Sequence, residues 1–205
     1  MTTLIFASHN KHKAAEINAL TEPNIHVATL SEVGITDEIA ETAQTLDGNA
    51  LIKARFAYQK TQQACFADDT GLEVEALDGE PGVYSARYAG ENCNSENNIN
   101  KLLSKLSNTT NRRARFRTVV AYIDTTGKEH LFEGIVEGRI AYERAGNNGF
   151  GYDPIFVPTD VVANPTDTLT FAQMDLSVKN KISHRARAIS KFVEFLLKNH
   201  EDYEK

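Results

Sequence analysis

Two adjacent carboxylates interrupt an otherwise apolar stretch in the run Phe66-Ala67-Asp68-Asp69-Thr70-Gly71-Leu72. Carboxylates side by side repel each other. A fold keeps such a pair where a divalent cation, a proton held at raised pKa, or solvation on a surface turn offsets the repulsion. The segment reads as a short strand, Ala64 to Ala67, that ends in an acidic turn. Placement at a strand end favours metal or catalytic chemistry, because ligands of open α/β sheets collect at the carboxyl ends of strands. A solvated Asp-Asp-Thr-Gly turn is the plain alternative.

The chain has 205 residues, of which 41% are hydrophobic, enough for one globular unit, or one unit with two lobes, around a substantial core. A charged fraction of 24% gives no sign of disorder. The formal net charge of -6 excludes a general nucleic-acid binder. A polyanionic ligand such as a nucleoside triphosphate would therefore need local attraction from lysines, arginines, helix N-termini and a bound cation. Cys65 and Cys93 offer neither a disulfide framework nor metal-ligand spacing, and Cys65 reads as a small buried hydrophobe. No apolar run reaches the length of a membrane span. The opening Met1 to Ala7 lacks a basic region and is too short for a signal peptide, so cytoplasmic residence is expected.

Strands are expected at Leu4–Ala7, Ile25–Ala28 and Ala64–Ala67, with Leu72–Leu77 extended after the acidic turn. A helix from about Lys11 to Leu20 is ended by Pro23 and Asn24. Thr45 suits the N-cap of a helix over Leu46–Gln62, whose apolar positions Leu46, Ala50, Ala54 and Ala57 recur at helical spacing. Gly79, Pro81 and Gly82 mark a turn, and Asn97–Leu106 reads as a helix. Arg115–Asp124 and Glu129–Tyr142 form a hairpin about Thr125–Lys128. A strand at Pro154–Val157 and a last helix over Ile182–Lys198 complete an α/β fold with a mixed sheet. No linker divides the chain.

Four constellations could carry chemistry. Ser8-His9-Asn10-Lys11-His12-Lys13 follows the first strand and opens a helix, where free backbone N–H groups and the positive dipole end suit a phosphate. The glycines of a P-loop are absent, and an ordinary capped helix explains the segment as well. Asn49 and Lys53 share a helix face, and Glu41 precedes that helix, where it could join Asp68 or Asp69 about a hard cation. Surface polarity alone also accounts for these three. Gly146 to Pro154 combines three glycines with Phe150 and Tyr152, so backbone can approach a flat ligand on which a ring stacks, with Asp153 on a base edge. The alternative is a flexible loop with one aromatic anchor. Finally, Lys179, His184 and Arg185 gather near the last helix. Arg185 offers planar donors suited to a keto oxygen, although residues at a helix start are commonly just solvated.

Six segments, in order and over essentially the whole chain, resemble the inosine triphosphate pyrophosphatase family, which removes non-canonical purine nucleoside triphosphates (dITP/XTP pyrophosphatases). They are Ala7–Lys13 with Glu16; Glu41–Ala50 with Lys53-Ala54-Arg55; Ala67–Leu72; Pro81–Tyr88; Gly149–Pro154; and Ser183-His184-Arg185. The resemblance implies one Ham1-like domain over 1–205, an elongated two-lobed α/β fold with a central mixed sheet, helices on its flanks and a cleft between the lobes. It implies a homodimer that requires Mg²⁺. Carried over residue by residue, Ser8, His9, Asn10, Lys11, His12, Lys13 and Lys53 hold phosphates. Glu41 and Asp69 bind Mg²⁺, Asp69 is the proton acceptor with Asp68 in support, and Thr70 touches substrate. Phe150, Gly151, Tyr152, Asp153, Lys179, His184 and Arg185 form the base pocket. The chain departs from the family pattern at Ser8, where Thr is frequent, at Ala40, where many relatives have a second acid, and at Leu46-Asp47-Gly48.

The expected reaction is hydrolysis of ITP, dITP or XTP to the monophosphate and pyrophosphate, with Asp69 orienting water toward the α-phosphorus. A 6-keto oxygen accepts from Arg185, whereas the 6-amino group of adenine leaves that guanidinium unpaired. Guanine would be excluded by its 2-amino group meeting the Gly149–Gly151 backbone. Competing readings are a pyrophosphatase for other modified nucleotides and a nucleotide-binding regulator without turnover. No kinase or P-loop signature occurs.

Overall fold

A computed structural model describes residues 2–21, 25–160 and 168–203. The helix end expected at Pro23 and Asn24 lies outside the described residues. The elements run β1 (Thr2–Phe6), α1 (Lys11–Thr21), β2 (Ile25–Thr29), α2 (Leu46–Thr61), β3 (Cys65–Val74), β4 (Pro81–Gly82), α3 (Ser95–Lys105), β5 (Arg113–Ile123), β6 (Glu129–Ile140), β7 (Phe156–Pro158), α4 (Leu176–Ile182) and α5 (His184–Tyr203). The sheet order is β2-β1-β3-β5-β6-β7, with β4 added on β3. Parallel pairs join β1 to β2 and β3, and antiparallel pairs join β3 to β4 and β6 to β7, so the sheet is mixed as expected. Among the described residues, no helix is long and apolar enough to cross a membrane.

The acid pair does not sit in a turn. β3 runs unbroken through Asp68-Asp69-Thr70-Gly71, which corrects the expected strand–turn–extended segment. Sheet pairing overrides the local turn preference of Asp, Thr and Gly, because β3 is paired both before them, at Cys65–Phe66, and after them, at Leu72–Glu73. Its parallel partner stops first: Phe6 pairs with Phe66, and Ala7 N–H donates to the Phe66 carbonyl at 2.7 Å. The carboxyl end that matters for ligands is thus that of β1, and β3 carries Asp68 and Asp69 past it. Beyond Val74, Glu75–Leu77 is a 3₁₀ turn rather than strand.

The C-terminal helix expected over Ile182–Lys198 is α5, which starts at His184. A short helix with no expected counterpart, α4, precedes it, and Ser183 between them is extended (φ -66°, ψ 156°), which gives α5 its own N-terminus.

The chain divides into two compact units, each assembled from separated segments. One comprises residues 1–69, 118–134 and 185–205, the other 70–117 and 135–184. In the first, Phe6, Phe66 and Phe192 are fully buried, with ring centroids 5.0 Å apart for Phe6–Phe66 and 5.2 Å for Phe66–Phe192. Ala50, Ala54 and Ala57 form the fully buried face of α2, as their spacing predicts. The Thr45 hydroxyl caps this helix, accepting from Gly48 N–H at 3.1 Å. In the second unit, Leu102 and Leu106 pack with Leu72, Phe116, Phe156 and Phe171. Cys65 is buried as expected, and burial pushes its thiol up to about 12.

Phe66 couples the sheet to α5 in the first unit and stands two residues before Asp68. Phe66→Ala is expected to lower stability by about 3–5 kcal/mol, the usual scale for truncating a buried aromatic, read from urea unfolding.

Candidate active site

The first unit holds a cluster of buried ionised groups around Asp68 and Asp69. Asp68 is 1% exposed, and both its oxygens are engaged: Oδ1 accepts from Lys13 Nζ at 2.9 Å and Oδ2 from Arg185 Nε at 3.1 Å. Arg185 Nη1 donates to Glu16, which is itself buried. The four groups form a chain of alternating charge, Lys13–Asp68–Arg185–Glu16, that joins α1, β3 and α5. Asp69 faces a second set. Its Oδ1 accepts from Lys53 Nζ at 3.4 Å, and the same ammonium donates to Glu41 Oε1 at 2.6 Å.

The two neighbouring carboxyls are driven in opposite directions. Burial works against the Asp68 carboxylate, but Lys13 and Arg185 outweigh it and hold the carboxyl far below its ordinary value of 3.8. Burial also pushes Asp69 up, and Lys53 and Lys13 oppose that rise without cancelling it. Burial lowers the Lys13 ammonium despite Asp68. For Lys53, Asp69 and Glu41 overcome burial and raise it. Burial and neighbouring charges thus push two adjacent carboxyls in opposite directions, and the two cations hold Asp68 as an anion.

Seven charged side chains meet here: Lys13, Lys53 and Arg185 with Glu16, Glu41, Asp68 and Asp69. Among the described residues, no three His, Cys, Asp or Glu side chains group as a metal cage. The donors suited to a hard cation are Glu41 and Asp69. Two carboxylates are enough for an ion such as Mg²⁺ that keeps much of its water shell.

The segment that carries Glu41 is tied to α2. Ala43 N–H donates to Asn49 Oδ1 at 2.9 Å. A Cβ on Gly48 would stand 2.6 Å from Ala43 Cβ, so this segment packs directly on the first turn of the helix.

At the β1–α1 turn, the polar side chains mostly serve the backbone. Ser8 Oγ accepts from Asn10 N–H and Asn10 Oδ1 from Lys13 N–H, which caps α1. His9 bridges outward, with Nδ1 3.1 Å from Ser31 Oγ and Nε2 3.0 Å from the Asp37 carbonyl, so Nε2 is the donor. Lys11 and His12 are exposed, and Thr70 is half-buried on β3.

The second unit gathers a separate set. Asp153 Oδ2 accepts from Phe150 N–H and Lys179 Nζ, each at 2.8 Å. Lys179 Nζ lies 5.1 Å from the Phe150 ring centroid. His184 stacks on Phe116 at 4.6 Å. Tyr152 is buried, with its hydroxyl donating to the Ser85 carbonyl. Gly149 (φ +75°) is required because a Cβ there would sit 2.0 Å from Asp153 Oδ2. At this glycine the group that comes close is the chain's own carboxylate. Gly151 is open, with nothing within 4 Å of its Cβ position.

Two adjacent residues thus serve different sets. His184 belongs with the aromatic group, while Arg185, grouped with the base pocket from sequence, is 2% exposed and bound to Asp68 and Glu16. Glu16 was legible only as a matching letter. A buried acid one helical turn from Lys13 was the signal for its role.

The comparisons agree with this architecture. The Ham1 family model matches residues 4–195, and the chain belongs to the Ham1 family. It is 52% identical over 198 residues to a dITP/XTP pyrophosphatase of Porphyromonas gingivalis, covering 96% of this chain and 98% of that protein. A dITP/XTP pyrophosphatase of Flavobacterium johnsoniae is 47% identical over 94% of this chain and 97% of its own. The solved Ham1 protein of Staphylococcus aureus superposes with a TM-score of 0.85 at 42% identity, over 97% of this chain and all of that one.

Two outcomes are expected. Asp68→Asn leaves Lys13 and Arg185 without their shared anion and should cost about 3–5 kcal/mol at pH 7. In wild type the favourable contribution of Asp68 is present above pH 3.8 and lost as pH falls through the lowered pKa. Asp69→Asn has the reverse sign. The folded pKa is raised, so ionised Asp69 disfavours folding once pH exceeds it, and the neutral amide should be neutral or stabilising at pH 7, less so in acid. Urea unfolding of metal-free protein across pH measures both. Separately, Gly48→Ala should cost about 1–3 kcal/mol by overpacking, and adding Ala43→Gly should recover most of it, as read from Tm.

Proposed function

We propose that this protein hydrolyses non-canonical purine nucleoside triphosphates (ITP, dITP and XTP) to the monophosphate and pyrophosphate. The observation that carries the reading is the split pair, with Asp68 pinned as an anion by Lys13 and Arg185 and Asp69 raised beside Lys53. The names of the relatives, dITP/XTP pyrophosphatases matched over nearly the whole chain, support it.

In this reading Asp69 accepts a proton from water as its oxygen attacks the α-phosphorus, and pyrophosphate leaves. The β1–α1 turn, Lys13 and Lys53 supply positive potential for the phosphates. Glu41 and Asp69 would hold Mg²⁺, which offsets charge on the phosphate oxygens when bound. Phe150 offers a ring for stacking, and Gly151, Tyr152 and Asp153 shape its surroundings. Lys179 and His184 supply donors of the kind that a 6-keto oxygen accepts and a 6-amino group does not. Arg185 acts through Asp68 as a positioning residue, and keto recognition passes to Lys179 and His184. Thr70 contacts substrate beside Asp69. The homodimer and a cytoplasmic location, where such nucleotides arise, belong to the same reading.

A nucleotide panel with Mg²⁺, scored for pyrophosphate against orthophosphate, tests it. ITP, dITP and XTP should yield monophosphate and pyrophosphate far faster than ATP or GTP. Asp69→Asn should lower kcat by about 10²-fold or more, the scale for losing a general base. Release of orthophosphate alone would defeat the reading.

A further inference from the structure

Two buried side-chain polar atoms have no hydrogen-bond partner among the described residues: Asn49 Nδ2 and Asp69 Oδ2. One is a donor and the other an acceptor. The orientation of the Asn49 amide is fixed by its neighbour. Its Oδ1 accepts from Ala43 N–H at 2.9 Å, and a flipped amide would set N–H against N–H, so Nδ2 is the atom that faces away. α2 places Asn49 one turn before Lys53, and helical side chains lean toward the N-terminus, so the Lys53 ammonium lies back over the turn that carries Asn49. That ammonium is 3.4 Å from Asp69 Oδ1. Asn49 thus stands one turn from the lysine whose ammonium binds the Asp69 carboxylate. Asn49 is fully buried, which bars a triphosphate from reaching it directly but not a single water. Buried polar groups are met by a partner in almost all proteins, and one water is the smallest group that meets a donor and an acceptor at once.

We propose that Asn49 Nδ2 and Asp69 Oδ2 together seat the hydrolytic water, which makes Asn49 a catalytic residue. The proposal rests on the pyrophosphohydrolase reading. The water accepts the Asn49 N–H through one lone pair and donates one O–H to Asp69, and its other lone pair is directed to the α-phosphorus. As the new P–O bond forms, the proton passes to Asp69. The bond from the α-phosphorus to its bridging oxygen breaks, and pyrophosphate leaves with the electron pair. One oxygen of the monophosphate then derives from water.

If Asn49 were only the tie for Ala43, an acceptor at position 49 would be enough. Asn49→Asp keeps that acceptor and removes the donor, whereas Asn49→Ala removes both. With ITP and Mg²⁺, both variants are expected to lose about 10²-fold or more in kcat while KM, and Kd for a non-hydrolysable ITP analogue, stay within about threefold. The loss of the donor lowers kcat at the plateau of the pH–rate profile, and that plateau is the deciding value. A plateau within about threefold of wild type, or a loss carried wholly by KM and Kd, overturns the proposal. Should Asn49→Ala not fold, Asn49→Asp decides. Wild-type turnover in oxygen-18 water separates the two claims. Label in the monophosphate supports the underlying reading, and its absence sinks that reading whatever position 49 does.

Discussion

Asp68 is the anion on which the first unit's chemistry depends. It binds Lys13 through one oxygen and Arg185 through the other, and Glu16 accepts from the same guanidinium. Each ion left unpaired at such a depth would cost several kcal/mol, while a close pair at an effective dielectric near 20 returns about 4 kcal/mol. The net gain in stability is therefore small. What the chain of charges supplies is placement: α1, β3 and α5 cannot shift separately without stranding a charge. Both Asp68 oxygens are bound to cations, whereas Asp69, one residue along the same strand, points to the other face and meets Lys53 instead.

The sequence makes the elements legible where local rules are strong. Thr45 caps α2, the alanines of that helix face the core, and the sheet is mixed. It misleads where pairing outcompetes local preference. Asp-Asp-Thr-Gly has every mark of a turn, yet pairing before and after it along β3 keeps it extended. Ser183 has no breaker's signature, and its extended backbone still separates α4 from α5. The candidate site residues were legible mainly as a family pattern. That pattern does not say which partner each side chain takes, so His184 and Arg185, adjacent in the chain, were grouped although they join different sets.

The glycine-rich stretch of the second unit shows the same limit. Dense glycines correctly signal close approach, but the approaching group at Gly149 is Asp153, and at Gly146 it is the Ala172 backbone, 2.3 Å from a would-be Cβ. Asp153 in turn binds Phe150 N–H and Lys179. The loop is thus built around its own carboxylate, which holds the Phe150 ring and the Lys179 ammonium in fixed relation. Rigidity of this kind suits discrimination between ligands that differ by one hydrogen-bonding group, since a loop that could adapt would satisfy either.

Two paired oxygens at Asp68 contrast with one at Asp69. Asp69 Oδ2 and Asn49 Nδ2 are buried without a hydrogen-bond partner among the described residues, a condition costly to stability. Asp69 binds the Lys53 ammonium that Glu41 shares, and Asn49 stands one turn before Lys53 on α2. Departures from internal consistency in an otherwise consistent core concentrate where a protein does its chemistry. On that argument the raised Asp69 and the unmatched amide point to one region of the fold, the one that the proposed reaction uses.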